Sequence, residues 1–173
     1  MKPINLNELL FGGGSTTLLA GATPTENFLH VVDNGLDWNG PSGARSAYDF
    51  AQGLDFQQVL SEHPDLPNRF LSYTTNHVLA VADQEPEYQG DLGYDDSVAD
   101  ALYVWDRIAA AAVALGTPWS LDGSMLKVAD FHARQLHDQC LSAETETGDG
   151  AAREAMEGLL ARLAAYATGP AFP

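Results

Sequence analysis

Apolar side chains recur at steps of three and four from residue 97 to residue 168, which predicts three amphipathic helices. The first runs from Ser97 to about Leu115 on a stripe of Val98, Leu102, Trp105, Ile108, Ala109, Ala112 and Val113. Ser97 stands at its start, with Asp100 three residues on in place of the Glu of a capping box. Gly116 and Pro118 end it. The second spans about Ser124 to Ser142, with Met125, Val128, Ala129, His132, Leu136 and Cys140 on one stripe. The third follows Gly148-Asp149-Gly150, carries Ala152, Met156, Leu159, Leu160, Leu163 and Ala167, and stops at Gly169-Pro170. Short connections between such helices predict an antiparallel bundle or a helical layer.

The N-terminal half has a different texture. Phe28 to Val32 reads as a strand and Leu36 to Trp38 as its partner, joined by Asn34-Gly35, the pair favoured in tight hairpin turns. The loop 39–43 closes that unit, and two short helices follow, Ser46 to Ala51 and the stretch from Asp55 to His63. Residues 69–82, rich in aromatic and β-branched types, read as strands 69–74 and 77–82 meeting at Thr75-Asn76. The fold class expected is therefore α+β, hairpins and short helices packed on a three-helix layer. Residues 1–27 form a Gly-rich arm, 28–168 one globular domain (28–96 hairpins and loops, 97–168 helices), and 169–173 a tail. Gly12-Gly13-Gly14 is too costly in backbone entropy for a helix or strand interior, yet Leu9, Leu10, Phe11, Leu18 and Leu19 around it need burial. No internal repeat is visible.

Charge narrows the function classes. Eight Lys and Arg against 24 Asp and Glu leave the 173-residue chain at −16. Without a basic stripe, direct nucleic-acid binding by phosphate neutralisation is not expected, nor is docking on anionic lipid. The apolar run Ile108 to Leu115 is too short to span a bilayer, and no secretory leader is evident. A soluble protein of the cytoplasm or of an assembled particle is expected. Cys140 is the single cysteine, which excludes an intramolecular disulfide.

Each hint of chemistry has a plainer structural explanation. Gly12 to Thr16 lacks the lysine that a phosphate loop places before its Ser/Thr; Gly14 stands there. His132 and His137 lie about 140° apart around one helix and cannot share an ion. His137 and Cys140 share a face, but a metal there needs two ligands from elsewhere. Cys140 sits near a helix C-terminus in an acidic chain, the opposite of what activates a thiol. Asp33 to Trp38 partly matches an Asp-box hairpin, a turn stabiliser without Val31's expected Ser/Thr. The acidic stretch 83–96 misses calcium-loop spacing, since counting from Asp91 puts Leu102 where a bidentate Glu belongs. No cofactor, metal or catalytic residue is nominated.

What remains is a surface. Tyr88, Tyr94 and Trp119 in loops or at element ends, beside Asp91, Asp95, Asp96 and Asp100, have the make-up of a protein-binding rim. The expectation is a non-enzymatic acidic assembly protein, a subunit of a larger particle such as a virion or phage tail. Its partners would be other protein subunits, in an oligomer or hetero-assembly, with the apolar arm lying on a neighbour. One alternative is an acidic inhibitor that mimics nucleic acid in a basic groove. Another is a metal-dependent hydrolase centred on His132 or His137.

Overall fold

Thr23 starts the first helix. Its hydroxyl accepts the Glu26 N–H (3.2 Å), while the Glu26 carboxylate takes the Thr23 N–H (2.7 Å) and hydroxyl (3.0 Å). This is a reciprocal capping box, with Pro24 at the first helical position, where its missing N–H costs nothing. The computed structural model describes residues 21–34, 42–80, 94–117 and 120–167. Among them the regular structure is helical throughout: α1 (Pro24–Asn34), α2 (Ser42–Ala51), α3 (Phe56–Glu62), α4 (Leu66–Tyr73), α5 (Tyr94–Leu115), α6 (Gly123–Thr147) and α7 (Ala151–Ala167). Helix α4 runs directly into a π-helical turn, Thr74–Leu79.

The α+β expectation is thereby corrected to all-α, with no strand among the described residues. Phe28 to Val32 belongs to α1. Phe28, Val31 and Val32, at i, i+3 and i+4, bury one helical face. Asn34 opens no hairpin; it is the last residue of α1, and its side-chain amide donates to the His30 carbonyl at 2.9 Å. The proposed partner strand at 36–38 lies outside the described residues. The strands read at 69–74 and 77–82 are α4 and the π turn, as far as residue 80. Phe70, Leu71, Thr74, Thr75, Val78 and Leu79 keep helical spacing and are all buried. Core packing overrides the intrinsic β preference of these residue types.

Several ends follow local chemistry. Asp55 caps α3 by accepting the Gln57 and Gln58 N–H groups (3.0 and 3.3 Å). Helix α5 begins at Tyr94, so Ser97 lies inside it rather than at its cap. It ends at Gly116, whose φ of 62° suits glycine. Asp122 caps α6 through the Ser124 and Met125 N–H groups (2.8 and 3.0 Å), and Gly148 (φ 75°) closes it.

Helix α5 is the central strut. It packs against α2, α3, α7 and the π turn, while α6 packs on α7, α4 and the π turn. Phe70 joins the layers through Phe28 (6.4 Å, stacked), Tyr73 (5.5 Å, stacked) and Trp105 (5.3 Å, edge-on). Such ring pairs add about 0.5–1.5 kcal/mol each beyond their buried area. Arg69 on α4 clamps α1 with a two-pronged bond to Asp33 (2.8 and 2.6 Å). Among the described residues no helix is long and apolar enough to cross a membrane.

Candidate functional site

The π turn is the most irregular part of the described core. An extra residue widens the helix here. Just before it the Thr74 hydroxyl donates to Phe70 O (2.9 Å), which also accepts the Thr74 N–H, and the Thr75 hydroxyl donates to Leu71 O (2.8 Å). Tyr73 lies just before the turn, 1% exposed, and its hydroxyl has no hydrogen-bond partner among the described residues. Burial, reinforced by the Asp100 carboxylate, holds the phenol well above its ordinary pKa. His77 lies beside the Tyr73 ring (5.8 Å between centroids), and partial burial lowers its pKa. Helical spacing in 69–82 was the signal by which Tyr73 and His77 were legible; the β-rich composition masked it.

A second polar group ties α6 to α7. Arg153 bonds Glu144 (2.6 Å) and Glu157 (2.8 Å), and His137 approaches Glu157 at 3.5 Å. The two carboxylates raise the Arg153 pKa, and Arg153, then His137, lower that of Glu157. Gly150 makes room for this arrangement, since a Cβ there would come within 2.8 Å of a Glu144 carboxylate oxygen. Arg162 similarly joins α7 to Asp106 of α5 at 2.5 Å. These cations and His137 hold helices together. Among the described residues no group of three or more His, Cys, Asp or Glu is arranged to hold a metal ion.

A cleft of about 490 Å³ lies between α3, the start of α4 and the end of α5, lined by uncharged residues including Leu60, Pro67, Asn68 and Leu115. The Asn68 side chain is spent there on Ser120 O (3.2 Å) and the Asp122 N–H (2.6 Å). Among the described residues no acid, base or nucleophile pair faces this space.

The outer face of α6 differs from both. Leu126, Ala129, Ala133, Leu136 and Cys140 turn inward and are buried. Phe131 points the other way, 56% exposed, with Val128 and Leu141 also exposed on its flanks. Lys127 is exposed and has no partner among the described residues, and Arg134 pairs with Asp130 one turn back (2.8 Å). Asp138 is exposed, with His137 at 3.9 Å and its charge felt by Arg134 one turn back. The apolar spacing puts Val128 on the same stripe as Met125 and Ala129 and leaves out Phe131, but Val128 is exposed; which side of a helix is covered is a tertiary fact.

The residues nominated from sequence are placed as follows. Leu9, Leu10, Phe11, Leu18, Leu19, Tyr88, Asp91 and Trp119 lie outside the described residues. Tyr94, Asp95 and Asp96 form the first turn of α5, and their side chains are likewise outside the described set. Asp100 is 7% exposed, on the core side of α5 rather than on an acidic rim. Cys140 is buried, and His132 is half-buried with its ring against Phe131 (5.4 Å). Comparison of the chain with known protein families, with curated proteins and with solved structures finds no match in any of the three.

Proposed function

We propose that this chain is a non-enzymatic structural subunit of a larger protein assembly, of the kind that builds a virion or phage tail. The observation that carries the reading is the outer face of α6, where Val128, Phe131 and Leu141 stand in water on one helix. Val128 and Phe131 lie less than one turn apart, with Leu141 further along the helix, and exposed apolar side chains of this size are what a protein partner would cover. The charge of −16 directs that surface towards protein subunits rather than nucleic acid or anionic lipid. Chemistry draws no comparable support: the described arginines and His137 are engaged in ion pairs or ring contacts between and along helices.

Native mass spectrometry of the purified chain at two salt concentrations tests the proposal, alongside a chain lacking residues 1–20. A defined oligomer or mixed assembly, reduced by the truncation, is the expected result. A monomer with a stoichiometric metal, and hydrolysis lost on replacing His132 or His137 with Ala, overturns it in favour of an enzyme. A metal-free monomer that binds a basic protein, and loses it on charge reversal of Asp91, Asp95 and Asp96, overturns it in favour of a nucleic-acid mimic.

A further inference from the structure

We infer that α6 docks antiparallel on α6 of a second copy of this chain, centred between His132 and Ala133. The inference rests on the assembly reading and specifies one contact within it. Its ground is the self-complementary order of side chains on the outer face of α6. At 100° per residue, Lys127, Phe131 and Asp138 fall within about 40° of one another, opposite the buried stripe. Arg134 and Leu141 border them on one side and Val128 on the other.

Turning the helix end for end about that centre exchanges positions 127 and 138. Lys127 then faces Asp138 of the partner subunit, and the symmetry makes the pair twice. Both groups are exposed; within its own chain Asp138 has His137 at 3.9 Å and the field of Arg134, whose bonded partner is Asp130. The same operation exchanges 131 and 134. The two Phe131 rings sit about 4.5 Å apart along the axis, and each meets Arg134 of the partner subunit. An anion at 138 facing a cation at 127, with an aromatic ring and a guanidinium between, is what an isologous contact requires.

Two further observations favour a second copy as the occupant. A chain of charge −16 repels itself over most of its surface, but from 124 to 141 α6 carries Lys127 and Arg134 against Asp130 and Asp138, a balance of zero. Like-charge repulsion is therefore least where the apolar side chains are most exposed. Secondly, Lys127 lies towards the N-terminal end of α6 and the exposed Glu146 towards its C-terminal end, the reverse of what the helix dipole favours. An antiparallel neighbour offsets that polarity. A single helix face is smaller than the ~800 Å² per partner of a stable interface, so this dimer dissociates on dilution.

Sedimentation velocity of the full chain over a concentration series tests the pairing, with circular dichroism as a check on folding. Phe131→Ser raises the dimer dissociation constant by about tenfold or more. Lys127→Asp and Asp138→Lys each weaken self-association to a similar degree. Mixed in equal amounts, these two variants associate with each other, because every 127–138 contact again joins opposite charges. All three positions are solvent-facing, so helix content stays unchanged. Association that ignores these substitutions, or a mixture that fails to recover it, overturns the α6 pairing while the assembly reading stands. A chain that is monomeric at every concentration also overturns the pairing, and the native mass spectrum with candidate partners then decides the assembly reading separately.

Discussion

Replacing Tyr73 with Phe should stabilise this protein. The side chain is 1% exposed and its hydroxyl lacks a hydrogen-bond partner among the described residues. An unmatched buried hydroxyl costs about 1–3 kcal/mol in lost hydration. Tyr73→Phe removes that cost and leaves a void of about 12 Å³, which at ~24 cal/mol per Å³ takes back about 0.3 kcal/mol. The ring itself remains, with its stacking on Phe70 and its contact with His77. The net expectation is a gain of about 1 kcal/mol or more, a rise in Tm of about 2–4 °C for a chain of this size. Urea titration followed by circular dichroism, with a calorimetric scan, measures it. Leu71→Ala serves as the control, since truncating that fully buried side chain costs about 2–5 kcal/mol. A Tyr73→Phe variant that is unchanged or less stable refutes the reasoning, because the hydroxyl must then be bonded in solution.

Thr75→Val keeps the shape of a buried side chain but removes the bond to Leu71 O in the π turn, and should cost about 1 kcal/mol by urea titration. His77 gives a pH dependence: burial lowers its folded pKa, so protonation favours the unfolded chain. Its contribution is complete above about pH 6.5 and declines as pH falls towards the folded value. Stability measured from pH 7 to pH 5 should fall less steeply in His77→Gln; an identical slope would count against this account. Gly150→Ala places a methyl within 2.8 Å of a Glu144 carboxylate oxygen and should loosen the Arg153 bridge, read as faster amide exchange where α6 meets α7.

Much of the helical half was legible because its signals are local. The spacing of apolar residues placed α5, α6 and α7, but α6 runs five residues past the expected end at Ser142, to Thr147, before Gly148 closes it. The Asp55 cap on α3 was legible for the same reason. The N-terminal half was misread where two local signals compete. Asn34-Gly35 favours a hairpin, but Thr23, Pro24 and Glu26 eleven residues earlier launch a helix that carries the chain to Asn34. Once nucleated, a helix adds a hydrogen bond per residue, and its buried face of Phe28, Val31 and Val32 outweighs the turn preference.

The amino-acid sequence by itself determined the acidic surface charge, the single thiol, the lack of a long apolar run and the helical period of the C-terminal half, because each depends on composition or on neighbours along the chain. Only the tertiary structure decided that residues 69–80 are helical, that Asp100 and the Tyr73 hydroxyl are buried together, and that Phe131 is left in water. Those outcomes depend on which helices meet. A β-branched run becomes a helix when both its neighbours bury it, an acid leaves the surface when α5 is the central strut, and one face of α6 stays bare because α4, the π turn and α7 cover the other.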